Sequence, residues 1–112
     1  MFDYAEARAH MVESQVRTND VTDPGIQHAM GRVARETFVP ASKKSLAYSD
    51  VHIETDPGRF MMSPRDFAKL LQAADIAPTD IVLDLACGRG YSRRFWARWP
   101  RRLSLWRAMR PW

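Results

Sequence analysis

Apolar residues recur at three- and four-residue spacing from the start of the chain. In residues 3–17, DYAEARAHMVESQVR, the positions Ala5, Ala9, Val12 and Val16 share one helical face, and most of the rest are polar. That pattern predicts an amphipathic helix with those four residues turned inward. TNDVTD then reads as a turn, because Thr and Asx side chains bond nearby backbone in competition with helix. A second helix is expected from about Pro24 to Arg35, capped by Asp23, with Ile26, Met30 and Val33 as its stripe. ETFVPASKKSLAYSD reads as irregular, VHIE as a short strand and DPG as a turn. At SPRD a third helix begins, with Ser63 as cap, Pro64 at the first position and Asp66 at the third. Phe67, Leu70, Leu71 and Ala74 are its expected buried stripe, and IAPTD ends it.

DIVLDLACGRGYS breaks the helical period. Ile81, Val82, Leu83 and Leu85 are almost continuously apolar, as in a parallel strand covered on both faces. A glycine turn follows. The expected fold class is therefore α/β: N-terminal helices, then the first strand of a Rossmann-like sheet. No internal repeat is visible.

Composition changes this picture in one respect. The 112-residue chain has room for one small domain and carries a formal charge of +4. The charge is unevenly placed. Residues 93–112 hold seven arginines and no acid, whereas residues 1–92 hold ten basic and thirteen acidic side chains, a net −3. The basic pI belongs to the end of the chain and is no argument for nucleic-acid binding by the whole. A lone cysteine, Cys87, excludes an internal disulfide and a cysteine-based zinc site, and fits a reducing cytoplasm. MFDYAEARAH lacks the apolar run of a signal peptide, and no stretch is long and apolar enough to span a membrane. His10, His28 and His52 share no metal-like spacing, and Lys43–Lys44 is a small solvated pair.

The candidate chemistry sits at the end of the apolar strand. Asp84 closes it, and Ala86, Gly88 and Gly90 follow at alternate positions with Cys87 among them. Small residues there let the backbone approach a nucleotide-like ligand and turn sharply into a helix, while the acid can accept hydrogen bonds from the ligand. A tight strand–helix turn that binds nothing satisfies the same local pattern. Cys87 fits a small buried filler in this loop.

DLACGRGY resembles motif I of class I S-adenosylmethionine-dependent methyltransferases, with Ala86 where the first glycine usually stands. The ordered segments MVESQVRTNDVTD, RETFVP, LAYSD and MMSPRDFAKLLQAADI narrow the resemblance to protein-L-isoaspartate O-methyltransferases, over roughly residues 3–92. The resemblance implies S-adenosylmethionine as cofactor, held by Asp84, Ala86, Cys87, Gly88 and Gly90. It implies isoaspartyl-containing proteins or peptides as partners and methyl transfer to their free carboxylate, with no metal, membrane or nucleic-acid partner. No catalytic residue is assigned. The family usually places a serine two residues before the proline that opens the helix; Met62 stands there, and Ser63 is one residue out of register and reads as a cap.

RRFWARWPRRLSLWRAMRPW is expected to contribute neither the following helix, nor a second parallel strand, nor the acid that would end it, and to be poorly ordered. A shift of reading frame near Arg93 accounts for its composition. In the frame displaced by one base, the places of Trp96, Ala97 and Pro100 become leucine, glycine and alanine whatever the codons, and those of Trp99 and Trp106 become Leu, Val or Met. One permitted reading after GYS, AAVLGALAASVVAVEGDAAL, has the pattern of a helix, a strand and an acid. The chain is accordingly expected to be a truncated, inactive copy that binds S-adenosylmethionine weakly or not at all. Two alternatives stand beside this reading. One is a methyltransferase with another acceptor; the other is a cationic tail that binds a membrane surface or nucleic acid.

Overall fold

A computed structural model describes residues 2–77, 79–85, 88–98 and 104–108 of the chain. Helix α1 spans Tyr4–Met11, with the Asp3 carboxylate accepting the Glu6 N–H at 3.0 Å. It widens into a π-type turn over Val12–Val16 and tightens into a 3-10 turn over Arg17–Asn19. Thr18 and Asn19 end it by donating to the carbonyls of Ser14 and Gln15, and Asp20 adopts a left-handed conformation with φ 64°. The TNDVTD turn thus forms through the side-chain-to-backbone bonds its composition predicts.

The inward face matches the expected one at Val12 and Val16 and departs from it at Ala5 and Ala9. Ala5 and Ala9 are exposed, while Met11 and Val16 are buried and Tyr4, Ala7 and Val12 pack against the core. An alanine stripe offers little area to bury. Turning the helix toward Tyr4 and Met11 removes more apolar surface from water.

Helix α2 spans Pro24–Arg32, capped by Asp23 through the Gly25 N–H at 2.7 Å, with Ile26, Met30 and Val33 buried as expected. It ends three residues earlier than its pattern suggests, because Val33 is already extended (φ −89°, ψ 126°). Short 3-10 turns follow over Arg35–Phe38 and Ala41–Leu46. Strand β1, Ile53–Asp56, pairs antiparallel with β2, Arg59–Met61, around a turn in which Gly58 has φ +73°.

Helix α3 spans Pro64–Ala74 and starts at the predicted cap: Ser63 Oγ accepts the Asp66 N–H at 3.4 Å. Its inner face is Pro64, Phe67, Ala68 and Leu71, while Leu70 and Ala74 of the expected stripe point outward. Gln72 ties this helix to the first turn. Its side-chain Oε1 accepts the Thr22 and Asp23 N–H groups at 2.7 and 3.0 Å, and its Nε2 donates to the Asp20 carbonyl at 2.6 Å.

Strand β3 spans Ile81–Leu85, helix α4 Tyr91–Ala97, and strand β4 Ser104–Ala108. β3 and β4 pair in parallel, Ile81 opposite Ser104 and Leu85 opposite Ala108. The helix and the second strand denied to this part of the chain are therefore both formed. α4 ends at Ala97, ahead of Pro100, so the proline interrupts nothing. Tyr91 and Phe95, one turn apart on α4, are buried against the N-terminal helices, and the rings of Phe67 and Phe95 meet edge-on at 5.2 Å. The expectation of poor order at 99–103 and 109–112 lies outside the described residues.

The two-faced burial expected of β3 is not found. Ile81 is 68% exposed and Leu83 59% exposed. A two-stranded sheet leaves one face without a covering layer, and these alternate residues occupy it.

Candidate functional site

The site is built where β3 hands over to α4. Asp84 lies at the end of β3, paired in register with Arg107 of β4. Ala86, Cys87 and the Asp84 side chain lie outside the described residues. Gly88 and Gly90 both adopt left-handed backbone, φ +58° and +97°. A Cβ on Gly88 would meet nothing within 4 Å, and one on Gly90 would meet only Phe38 Cε1 at 4.0 Å. Conformation rather than crowding therefore calls for glycine, and the loop surface above Gly88 is open to a ligand. The residues present fit the loop half of an S-adenosylmethionine site. They lack the ribose half: residues 85–112 contain no acid to end a second strand.

Beneath the loop lies a group the sequence reading passed over. Arg35, in RETFVP, is completely buried. Its Nε donates to the Ala47 carbonyl at 2.8 Å and its Nη2 to the Met62 carbonyl at 3.0 Å. The guanidinium carbon lies 4.8 Å from the centre of the Tyr91 ring, and Arg35 N–H donates to Tyr48 Oη at 3.0 Å. One side chain thus joins four separated segments: RETFVP, LAYSD, MMSPRD and GRGYS. A buried cation needs such partners, and the aromatic face supplies part of what water would. Tyr91 is buried too, and burial pushes its phenol above the ordinary range. Phe38 and Phe67 meet its ring edge-on at 5.9 and 5.4 Å.

Tyr48 forms a second node. Arg8 Nε donates to its oxygen at 2.9 Å, and its hydroxyl donates to Glu36, which Arg8 approaches at 3.5 Å. Burial, then the bond to Glu36, pushes the Tyr48 phenol up to about 12. These contacts join residues 12 to 40 positions apart, and no local pattern announces them.

Arg89, between the two glycines, reaches the β1–β2 hairpin. Its Nε and Nη2 donate to the two carboxylate oxygens of Asp56, each at 3.1 Å. That bidentate pair holds the exposed Asp56 carboxyl below its usual value. The loop is therefore moored from below by Arg35 through Tyr91 and from the side by Asp56.

At the place where the resemblance expects a serine, Met62 is partly exposed, and its carbonyl is engaged by Arg35. Ser63 is buried and occupied as the α3 cap, and its N–H donates to His52 Nδ1 at 3.0 Å. His52 Nε2 stands 3.4 Å from Asp66. Among the described residues no three His, Cys, Asp or Glu side chains converge as metal ligands, and no helix is long and apolar enough to cross a membrane.

Comparison with known proteins places these segments. The family model described as protein-L-isoaspartate(D-aspartate) O-methyltransferase matches residues 6–102. A protein-L-isoaspartate O-methyltransferase of Protochlamydia amoebophila is 40% identical over 82 residues, covering 73% of this chain and 39% of the relative. The enzyme of that name from Methylorubrum populi is 37% identical over 86 residues, covering 77% and 41%. The one from Aeropyrum pernix is 38% identical over 88 residues, covering 79% and 34%. The chain thus spans about two fifths of the length of these curated relatives.

Proposed function

The chain belongs to the protein-L-isoaspartate(D-aspartate) O-methyltransferase family, and on that premise we propose that it carries the cofactor-loop half of a methyl-transfer site. The proposed reaction moves a methyl group from the sulfonium of S-adenosylmethionine to the free carboxylate of an isoaspartyl residue in a damaged protein. The observation that carries this reading is the pair of left-handed glycines, Gly88 and Gly90, following the Ile81–Leu85 strand and leading into α4.

S-adenosylmethionine would supply the electrophilic methyl and a neutral thioether as leaving group. What the chain contributes is placement. Asp84, Ala86, Cys87, Gly88 and Gly90 are the proposed cofactor contacts. Arg35 and Tyr91 hold that loop at a fixed offset from Met62, where the acceptor segment is proposed to lie, because alignment of the reacting atoms supplies most of the acceleration in such a transfer. The partners are isoaspartyl proteins or peptides, and the proposed location is cytoplasmic.

We further propose that residues 1–112 alone do not turn over. Support comes from the missing acid after β3 and from the open face of its sheet. The frame shift near Arg93 remains the proposed origin of the acid-free segment, and sequencing the coding DNA around and past codon 93 tests it: no methyltransferase-like continuation in the displaced frame would refute it. Calorimetric titration with S-adenosylmethionine should give an affinity weaker than micromolar. A micromolar value would overturn the proposal of a half-built site.

A second reading, a different methyl acceptor, is favoured by the engagement of Ser63 as a helix cap. Assaying the longer reading frame on isoaspartyl peptides separates the two, since methylation at the family's usual acceptor would eliminate the second.

A further inference from the structure

Met62 and Ser63 share one peptide group, and side chains from elsewhere hold both of its polar atoms. The Met62 carbonyl accepts Arg35 Nη2 at 3.0 Å, and the Ser63 N–H donates to His52 Nδ1 at 3.0 Å. Arg35 and Ser63 are buried, whereas the His52 side chain is about half exposed. This peptide joins β2, which ends at Met61, to α3, which begins at Pro64 and is capped by Ser63 Oγ. One peptide plane thus sets how the hairpin meets the helix, with a cation on its oxygen and an imidazole on its N–H.

The geometry selects one protonation state of that imidazole. A ring nitrogen that accepts an N–H keeps its lone pair, so the proton of His52 sits on Nε2, which stands 3.4 Å from Asp66 Oδ2. The imidazolium has two N–H donors and no acceptor. Once protonated, Nδ1–H faces the Ser63 N–H, donor against donor. The guanidinium on the carbonyl polarises the peptide, which strengthens its N–H toward a neutral ring and sharpens its conflict with a charged one. Asp66, on α3, attracts the charged ring, so His52 can release Ser63 and stay at this corner. Other charged groups meet here too. Asp50 Oδ1 accepts the Arg65 N–H at 3.4 Å, and Lys43 Nζ donates to the Glu54 carbonyl at 2.7 Å.

We propose that His52 is a pH-sensitive latch on the Met62–Ser63 peptide. Neutral, it fixes the peptide; protonated, it releases the Ser63 N–H and loosens the joint between β2 and α3. The link to methyl transfer rests on the reading above, in which the acceptor segment lies at Met62, and on that reading His52 is a positioning residue whose grip is lost in acid. The latch itself needs neither cofactor nor acceptor, so its failure would leave that reading standing.

The Ser63 amide is the readout. The whole chain, nitrogen-labelled, is titrated from about pH 8 to about pH 5, the span over which an imidazole changes charge. Ring-carbon shifts of His10, His28 and His52 are followed beside the amides. The Ser63 amide shift should move with the His52 midpoint. Its protection against hydrogen exchange, corrected for the intrinsic rate, should fall about tenfold, the loss expected for one hydrogen bond. Leu71, two turns further along α3, should keep its protection. His52→Asn places a neutral oxygen near the position of Nδ1; it should preserve Ser63 protection and abolish its pH dependence. His52→Ala should lower that protection at every pH. A Ser63 amide that stays fixed while His52 titrates, or that follows His10 or His28 instead, would overturn the proposal. So would pH dependence that persists in His52→Asn, or protection lost together at Ser63 and Leu71, which would be acid unfolding of the chain. The wild-type titration decides the matter even if a variant fails to fold.

Discussion

The guanidinium carbon of Arg35 lies 4.8 Å from the centre of the Tyr91 ring, with neither residue open to solvent. This contact joins the N-terminal helical part of the chain to the first turn after the glycine loop, across 56 positions of sequence. It makes the loop's position depend on a segment remote from it in sequence.

Replacing Arg35 should therefore cost more than an ordinary substitution. Arg35→Met leaves the Ala47 and Met62 carbonyls without their donor. At roughly 1–3 kcal/mol for each stranded buried group, about 3 kcal/mol should be lost. Arg35→Lys keeps the charge but not the forked geometry and should recover less than half. The urea midpoint measures both, and an unchanged midpoint in Arg35→Met would show that the buried hub contributes nothing.

Gly88→Ala and Gly90→Ala should each lose about 1–2 kcal/mol through left-handed strain alone, since a Cβ has room at both positions. Gly88→Asn should be milder, because asparagine tolerates that conformation. Thermal unfolding tests the order. If alanine and asparagine behave alike at position 88, the positive φ is not the cause.

The Asp56–Arg89 pair sets a pH dependence at the acid end. The folded pKa of Asp56 is lowered, chiefly by its hydrogen bonds to Arg89. The contribution is then present above the unfolded value of about 3.9 and is lost as pH falls through the folded value. Both side chains are well exposed, so the effect on stability should be small and should shrink with salt. Carbon-detected titration of the Asp56 carboxyl should show the low midpoint and lose it in Arg89→Ala.

Tyr48 behaves oppositely. Its folded pKa is raised to about 12 by burial and by the bond to Glu36. Stability from this group is complete below the unfolded value of about 10 and declines as pH rises through the folded one. Ultraviolet titration should show a tyrosine ionising near 12 together with unfolding, and Tyr48→Phe should remove that phase. An early, fully reversible titration of all three tyrosines would contradict the buried network.

Leu83→Ser should change stability by no more than about 0.5 kcal/mol, as for a surface site. Val82→Ser, on the better-covered face, should cost more. The same open face should bind a hydrophobic dye in the native state. A large loss from Leu83→Ser would place that residue in a core.

Much of the architecture is legible in the residues. Asp23, Ser63, Pro24 and Pro64 mark helix starts, and the apolar run at 81–85 marks a strand, because caps and strand periodicity act over a few residues. The ordered motifs point to the family for the same local reason. Which face of a helix turns inward proved less legible. Ala5, Ala9, Leu70 and Ala74 satisfy the helical period yet face water, since period alone does not say what a face will meet. Neither does composition decide a segment's fate. The arginine-rich run begins with a helix because Tyr91 and Phe95 find the Phe67 cluster, whatever its charge.

By itself, then, the sequence determined the local elements and the glycine loop, whose backbone preferences are properties of adjacent residues. Only the tertiary structure decided the burial of Arg35, the joining of Tyr48 to Arg8 and Glu36, the mooring of Arg89 to Asp56 and the exposure of Ile81 and Leu83. Those depend on partners 12 to 56 positions away or on a missing neighbouring layer, and a linear pattern contains no distance between such groups.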